Sequence, residues 1–169
     1  MRIYLLGFMG AGKSFWGKQL SQHFQAPFFD LDTYIIEQDG RSVNDIFTEE
    51  GEAYFRLLEK KALETLTETY PQLVVATGGG TPCFHGNMNY MTANGKTIWL
   101  NPPVDVLMQR LEKEKDHRPL LKSLNNDELR KFIEEKLGER IKFYEKSLLQ
   151  LNNDEDLSVE VFIKMIKHA

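Results

Sequence analysis

The 169-residue sequence holds a single cysteine, Cys83, so neither an intramolecular disulfide nor a cysteine-based zinc site can form. A reducing cytoplasm suits such a chain. No apolar run approaches the ~18 residues that span a bilayer, and Met1 leads into an apolar run without a charged n-region, h-region or cleavage site. Membrane insertion and secretion are therefore not expected. Basic charge is not in excess: 21 Lys and Arg face 25 Asp and Glu, for a net charge of −4, which argues against a nucleic-acid surface and leaves room only for a local anion pocket. The four histidines, His23, His85, His117 and His168, show neither zinc-ligand spacing nor a triad arrangement. Internal repeats and linker-like tracts are also missing. With 41% apolar residues the chain has enough material for one core and too little for two ordinary domains.

What is present is dominated by Gly7 to Ser14, Gly-Phe-Met-Gly-Ala-Gly-Lys-Ser, between the apolar run Ile3 to Leu6 and an amphipathic segment. In a G-x-x-x-x-G-K-[ST] loop, small residues let backbone N–H groups converge on phosphate oxygens, the lysine reaches the β- and γ-phosphates, and the hydroxyl ligates Mg²⁺. A glycine-rich turn holding Lys and Ser by coincidence would not require strand, loop and helix in this order.

Short β-rich runs alternate with helical periodicity: Arg2–Leu6 then Ser14–Phe24, Phe28–Asp30 then several helical pieces, Leu73–Ala76, Lys96–Leu100, and Leu148–Leu151 before a last helix. This order predicts an α/β fold. The best-formed runs are continuous rather than alternating, as parallel strands covered on both faces require, and ligands are expected at their carboxyl ends. Ser42 and Asp45 mark a helix start, Gly51 separates that helix from one running to about Tyr70, and Arg56 and Glu59 share a face at i, i+3.

Several residues have both a structural and a chemical reading. Asp30 and Asp32 close the second strand, and period-two geometry puts both carboxylates on one side if the strand persists; a helix cap plus a turn is the alternative. Gly78, Gly79 and Gly80 place three exposed amides at a strand end, where a ligand could approach, or else form a positive-φ connection with Thr77 and Thr81 as local partners. Arg118 ends the charged stretch Glu112 to Arg118, either a solvated connection or a lid carrying a cation to the transferring phosphate. Arg56 and Arg140 could clamp a carboxylate, or form surface ion pairs. Cys83 reads as a small packed residue rather than a nucleophile.

Taken together, the P-loop, Phe-Asp-Leu-Asp, Gly-Arg-Ser-Val-Asn-Asp-Ile-Phe, Gly-Glu-Ala-Tyr-Phe-Arg-Leu-Leu-Glu, Thr-Gly-Gly-Gly, Arg-Pro-Leu-Leu and the Arg140 region resemble the shikimate kinases over most of Met1 to Tyr144. The resemblance implies a three-layer α/β/α P-loop kinase: one domain over residues 1–169, with a five-stranded parallel sheet, a substrate-binding helical region near 31–60 and a lid near 112–124. It implies transfer of the γ-phosphoryl of ATP to the 3-hydroxyl of shikimate by a cytoplasmic, monomeric enzyme of chorismate and aromatic amino acid biosynthesis. By position it implies Lys13 on the ATP phosphates, within a nucleotide-binding set of Gly10, Ala11, Gly12, Lys13, Ser14, Phe15, Arg110 and Arg118. It puts Ser14 and, through water, Asp30 on Mg²⁺. Asp32 falls against the shikimate hydroxyls as base or orienter, with Arg56, Gly78, Gly79, Gly80 and Arg140 holding the substrate and Phe47 and Phe55 lining its pocket. Lys13, Asp32 and Arg118 are the implied catalytic groups. The strand ending at Ala76-Thr77 lacks a terminal acid, so Asp30 must supply the metal-side carboxylate. A related small-molecule kinase, such as a gluconate kinase, shares the ATP half, and a silent nucleotide-binding domain would keep the loop without an acceptor.

Overall fold

The computed structural model describes residues 1–114, 121–152 and 157–169. Its centre is a five-stranded, wholly parallel sheet in the order β2-β3-β1-β4-β5, built from β1 (Arg2–Leu6), β2 (Phe28–Asp30), β3 (Leu73–Ala76), β4 (Lys96–Leu100) and β5 (Leu149–Leu151). The continuous apolar runs follow from burial on both faces. Ile3, Leu5, Val74, Ile98 and Leu100 face one core, while Tyr4, Leu6, Leu73, Val75 and Trp99 face the other. Helices α1 (Lys13–Phe24), α6 (Val104–Lys113), α7 (Asn126–Tyr144) and α8 (Val159–His168) contribute to the first core. Helices α2 (Leu31–Asp39), α3 (Val43–Glu50), α4 (Glu52–Thr69) and α5 (Asn87–Asn94) cover the second. Tyr4 is fully buried because its hydroxyl meets Thr67 Oγ1 at 2.9 Å, which removes the penalty of an unpaired polar atom.

Central β1 is where the chain first turns to one side of the sheet, toward β2 and β3, and later to the other, toward β4 and β5. Its carboxyl end is the switch point at which open α/β sheets bind ligands.

Helix starts follow the expected chemistry. Ser42 accepts the Asp45 amide at 3.1 Å, and Gly51 divides α3 from α4. The strand at Phe28–Asp30, however, does not continue to Asp32. Asp30 caps α2 by accepting the Thr33 amide at 3.3 Å, and fully buried Leu31 opens the helix, so Asp32 stands in its first turn. The two carboxylates are brought together by a strand-to-helix turn, not by period-two alternation. Pairing of the last strand begins at Leu149 rather than Leu148.

Candidate active site

The loop after β1 takes its shape from left-handed backbone at Gly10, φ 79°, and Gly12, φ 94°, conformations that side-chain-bearing residues rarely adopt. Gly12 leads directly into α1, whose first residue is Lys13. Lys13 Nζ donates to the carbonyls of Gly7 at 2.8 Å and Phe8 at 2.9 Å, a hold on the loop that keeps the ammonium over it. Arg110, from α6, donates to the Gly10 carbonyl at 3.1 Å and so reaches the same loop from across the fold. Ala11 packs inward, fully buried, and its amide donates to Phe8 at 3.1 Å, which closes the loop from within. Phe15 is 60% exposed on the rim, edge-on to Trp16.

Ser14 donates to Asp30 Oδ2 at 2.8 Å, so the hydroxyl and carboxylate expected on one metal ion already stand side by side. Asp32 lies behind them. Burial first, then the charges of Glu59 and Asp30, raise its carboxyl from the ordinary 3.8 to about 6, against the opposing pull of Lys13 and Arg56. It is a carboxylate poised to change protonation near neutrality, the property wanted of a general base.

Across the cavity, α4 supplies Arg56, which bonds Glu59 Oε2 at 2.7 Å and Glu52 Oε1 at 3.0 Å and lies 4.3 Å from the Phe84 ring centroid. Burial opposes the charge on this guanidinium, but Glu59 and Glu52 outweigh it and hold its pKa above the ordinary value. Glu59 is fully buried, and its other oxygen accepts the Thr81 hydroxyl at 2.6 Å. The i, i+3 pair expected from the sequence is therefore present, and it is a buried one.

The glycine run has a different logic from the expected one. None of Gly78, Gly79 and Gly80 has positive φ, and Gly80 is buried rather than exposed. A methyl group would displace neighbours instead: a Cβ on Gly78 would sit 2.7 Å from Glu59 Oε1, on Gly79 2.8 Å from Arg140 Nη1, and on Gly80 2.6 Å from Arg56 Nη2. The run is thus bracketed by both arginines. Arg140, on α7, also lies 5.6 Å from the ring centroid of Phe8 in the first loop, so the two halves abut.

A cavity of about 750 Å³ joins these halves and is walled by Gly10, Gly12, Lys13, Ser14, Phe15, Asp30, Asp32, Gly78, Gly79 and Arg110. Arg56, Gly80 and Arg140 are not part of this wall, nor are Phe47 and Phe55, whose ring centroids lie 6.0 and 5.5 Å from the Arg56 guanidinium carbon. Arg118 lies outside the described residues, as do residues 115–120 of the 112–124 stretch expected to form a lid; of that range, Leu121 is fully buried in the first core. Cys83 is half-buried and burial raises its thiol pKa, in keeping with a packed residue.

Sequence reasoning missed Leu157, Ser158 and Val159, which line the cavity at the start of α8, and Phe84 and Tyr144, which contact Arg56 and the Gly79 carbonyl. Ser158 had a detectable signal: it is a helix N-cap, accepting the Val161 amide at 3.3 Å.

The shikimate kinase family model matches residues 9–169. A shikimate kinase of Bacteroides thetaiotaomicron is 44% identical over 155 residues, covering 92% of this chain and 88% of the relative. A 1.7 Å crystal structure of shikimate kinase from that organism superposes with a TM-score of 0.91 at 41% identity, covering 99% of this chain and 97% of the other. Shikimate kinase from Acinetobacter baumannii in complex with shikimate gives a TM-score of 0.82 at 30% identity, with 97% and 88% covered. With the P-loop kinase fold and a two-sided cavity already evident, these matches settle the family: the chain belongs to the shikimate kinases, ATP-dependent kinases of a small-molecule alcohol.

Proposed function

We propose that the chain phosphorylates the 3-hydroxyl of shikimate with Mg²⁺-ATP, releasing ADP and shikimate 3-phosphate. The observation that carries this reading is the position of Asp32. It is one half-buried carboxylate on the cavity wall, acted on by Lys13 of the nucleotide loop and Arg56 of the acceptor side together, where a hydroxyl and a γ-phosphoryl group would have to meet.

Lys13, Gly10, Gly12 and Ser14 hold the phosphates, Ala11 shapes the loop, and Phe15 and Arg110 border the nucleotide. Arg56 and Arg140 clamp the shikimate carboxylate, and Gly78, Gly79 and Gly80 hold the substrate by leaving room for those guanidinium groups beside it. Ser14 and Asp30 fit a Mg²⁺ ion because both offer hard oxygen donors, bonded to one another at 2.8 Å. Among the described residues no group of three His, Cys, Asp or Glu could hold a metal, so such an ion relies on the nucleotide's own oxygens. When bound, the ion supplies charge neutralisation on the phosphates.

In the reaction, the bond from the γ-phosphorus to the β–γ bridging oxygen breaks and a bond to the shikimate oxygen forms. Asp32 orients the hydroxyl and accepts its proton, while Lys13 and Arg118 offset the charge on the transferring group. The 31–60 region serves the acceptor, residues 112–124 close over both substrates to exclude water, and the whole of 1–169 acts as one domain. The protein is read as a monomer. Among the described residues no helix is long and apolar enough to cross a membrane. The use of ATP supports the reading of a cytoplasmic enzyme, within aromatic amino acid biosynthesis.

The test is ADP release from purified protein with Mg²⁺-ATP and shikimate, gluconate or no acceptor, with product mass determined. Shikimate-dependent ADP and shikimate 3-phosphate are expected. Turnover of gluconate alone, or ATP binding without transfer, would defeat the proposal.

A further inference from the structure

Tyr144 lies at the carboxyl end of α7, one turn beyond Arg140, and is fully buried. Its hydroxyl donates to the Gly79 carbonyl, a partner 65 residues away. Its ring packs against Trp99 of β4 with centroids 5.6 Å apart, which fixes where that hydroxyl can be. A Cβ placed on Gly79 would meet Arg140 Nη1 at 2.8 Å and Tyr144 Oη at 3.7 Å, so one glycine touches both residues of the same helix face. The Gly79 carbonyl faces inward and needs a partner, and the phenol supplies it. Burial, above all, pushes the phenol's pKa above its ordinary value, against the pull of Arg140, so it stays a donor at every working pH.

Resting on the proposed reaction, we infer that Tyr144 is a positioning residue for the acceptor: its hydroxyl latches the Gly78–Gly80 loop to α7 at the distance that lets Arg140 and the loop hold one shikimate molecule. Without the latch, loop and arginine are no longer tied to one rigid element. The nucleotide loop comes near at the Gly7 carbonyl, 3.6 Å from where a Gly79 Cβ would stand, but none of its groups is a partner in this bond. The effect therefore falls on the acceptor and not on ATP.

The measurement is steady-state kinetics of wild type and Tyr144→Phe with each substrate varied. Phenylalanine keeps the ring against Trp99 and deletes only the hydroxyl. The expected result is a KM for shikimate about tenfold higher, from loss of one buried hydrogen bond, with the KM for ATP unchanged. Amide hydrogen exchange at Gly78–Thr81 should quicken in the variant while exchange in α7 and β4 holds. A shikimate KM equal to wild type, or equal rises in both KM values, would overturn the latch. Unaltered exchange at Gly78–Thr81 would do the same even if the variant proved too unstable for kinetics. Wild-type protein that fails to turn over shikimate defeats the proposed reaction itself, and this inference with it; active wild type with a silent variant defeats this inference alone.

Discussion

Two glycine-rich loops face one another across the cavity, and they use glycine for opposite reasons. In the nucleotide loop Gly10 and Gly12 have positive φ, so the missing side chain permits a left-handed backbone shape, the kind that lets amides converge on a phosphate. In Gly78–Gly80 the backbone is ordinary, and the missing side chain permits close approach by Arg56, Arg140 and Glu59. The first loop is a conformational device and the second a spatial one. Substitutions should therefore damage them differently: the first through strain and lost phosphate contacts, the second through displaced arginines.

The largest effect is expected on the nucleotide side. Lys13→Ala removes the cation held over the loop and should lower kcat/KM for ATP about a thousandfold or more, checked by coupled ADP release. A loss under tenfold would mean that Arg110 or another cation does its work.

Asp32 belongs to both halves and should separate turnover from stability. Asp32→Asn should reduce kcat by about a hundred- to ten-thousandfold. In wild type, kcat/KM for shikimate should fall tenfold per unit as pH drops below about 6, because the base becomes protonated. The stability effect has the opposite sense. The folded pKa is raised above the unfolded 3.8, so the contribution is fully present below that pH and is lost as pH rises through about 6. At pH 7 the ionised carboxylate thus destabilises the fold, and Asp32→Asn should raise unfolding free energy by about 1–3 kcal/mol in urea melts. Unchanged or lowered stability would show that the surrounding cations fully compensate its burial.

A milder effect tests the spatial loop. Gly80→Ala places a methyl within 2.6 Å of the Arg56 guanidinium and should raise the shikimate KM about ten- to a hundredfold while leaving the ATP KM within twofold. An equal rise in both would show that the loops are not separable. The smallest is Thr81→Val, which leaves Glu59 Oε1 without its 2.6 Å hydroxyl donor in a fully buried setting. Thermal melting should report a loss of about 1–3 kcal/mol, with the ATP KM unaltered.

The sequence made the sheet legible because strands buried on both faces carry unbroken apolar runs, and it made the nucleotide loop legible because phosphate chemistry dictates a local pattern of small residues, Lys and Ser. The acceptor side was legible only in part. Arg56 with Glu59 could be paired from helical spacing, but which residues would confine them could not, since Gly78, Gly80 and Thr81 reach them only through the fold. The placement of Asp32 was left open between strand alternation and a helix cap because the choice at Asp-Leu-Asp depends on Leu31 finding a buried slot and Asp30 capping the turn. Tyr144 carries no local signal of a site, and in the Leu157–Val159 wall the cap residue Ser158 signals a helix start and not a cavity. One bonds a distant carbonyl, and the other is set by α8 docking Phe162 edge-on to Trp16 at 4.9 Å.

The central claim is the division of labour between the two loops, and calorimetric titration of Lys13→Ala and Gly80→Ala with a non-hydrolysable Mg²⁺-ATP analogue and with shikimate tests it most directly. Lys13→Ala should lose the nucleotide and keep shikimate, and Gly80→Ala should do the reverse. Loss of both ligands to the same degree in either variant would contradict the account.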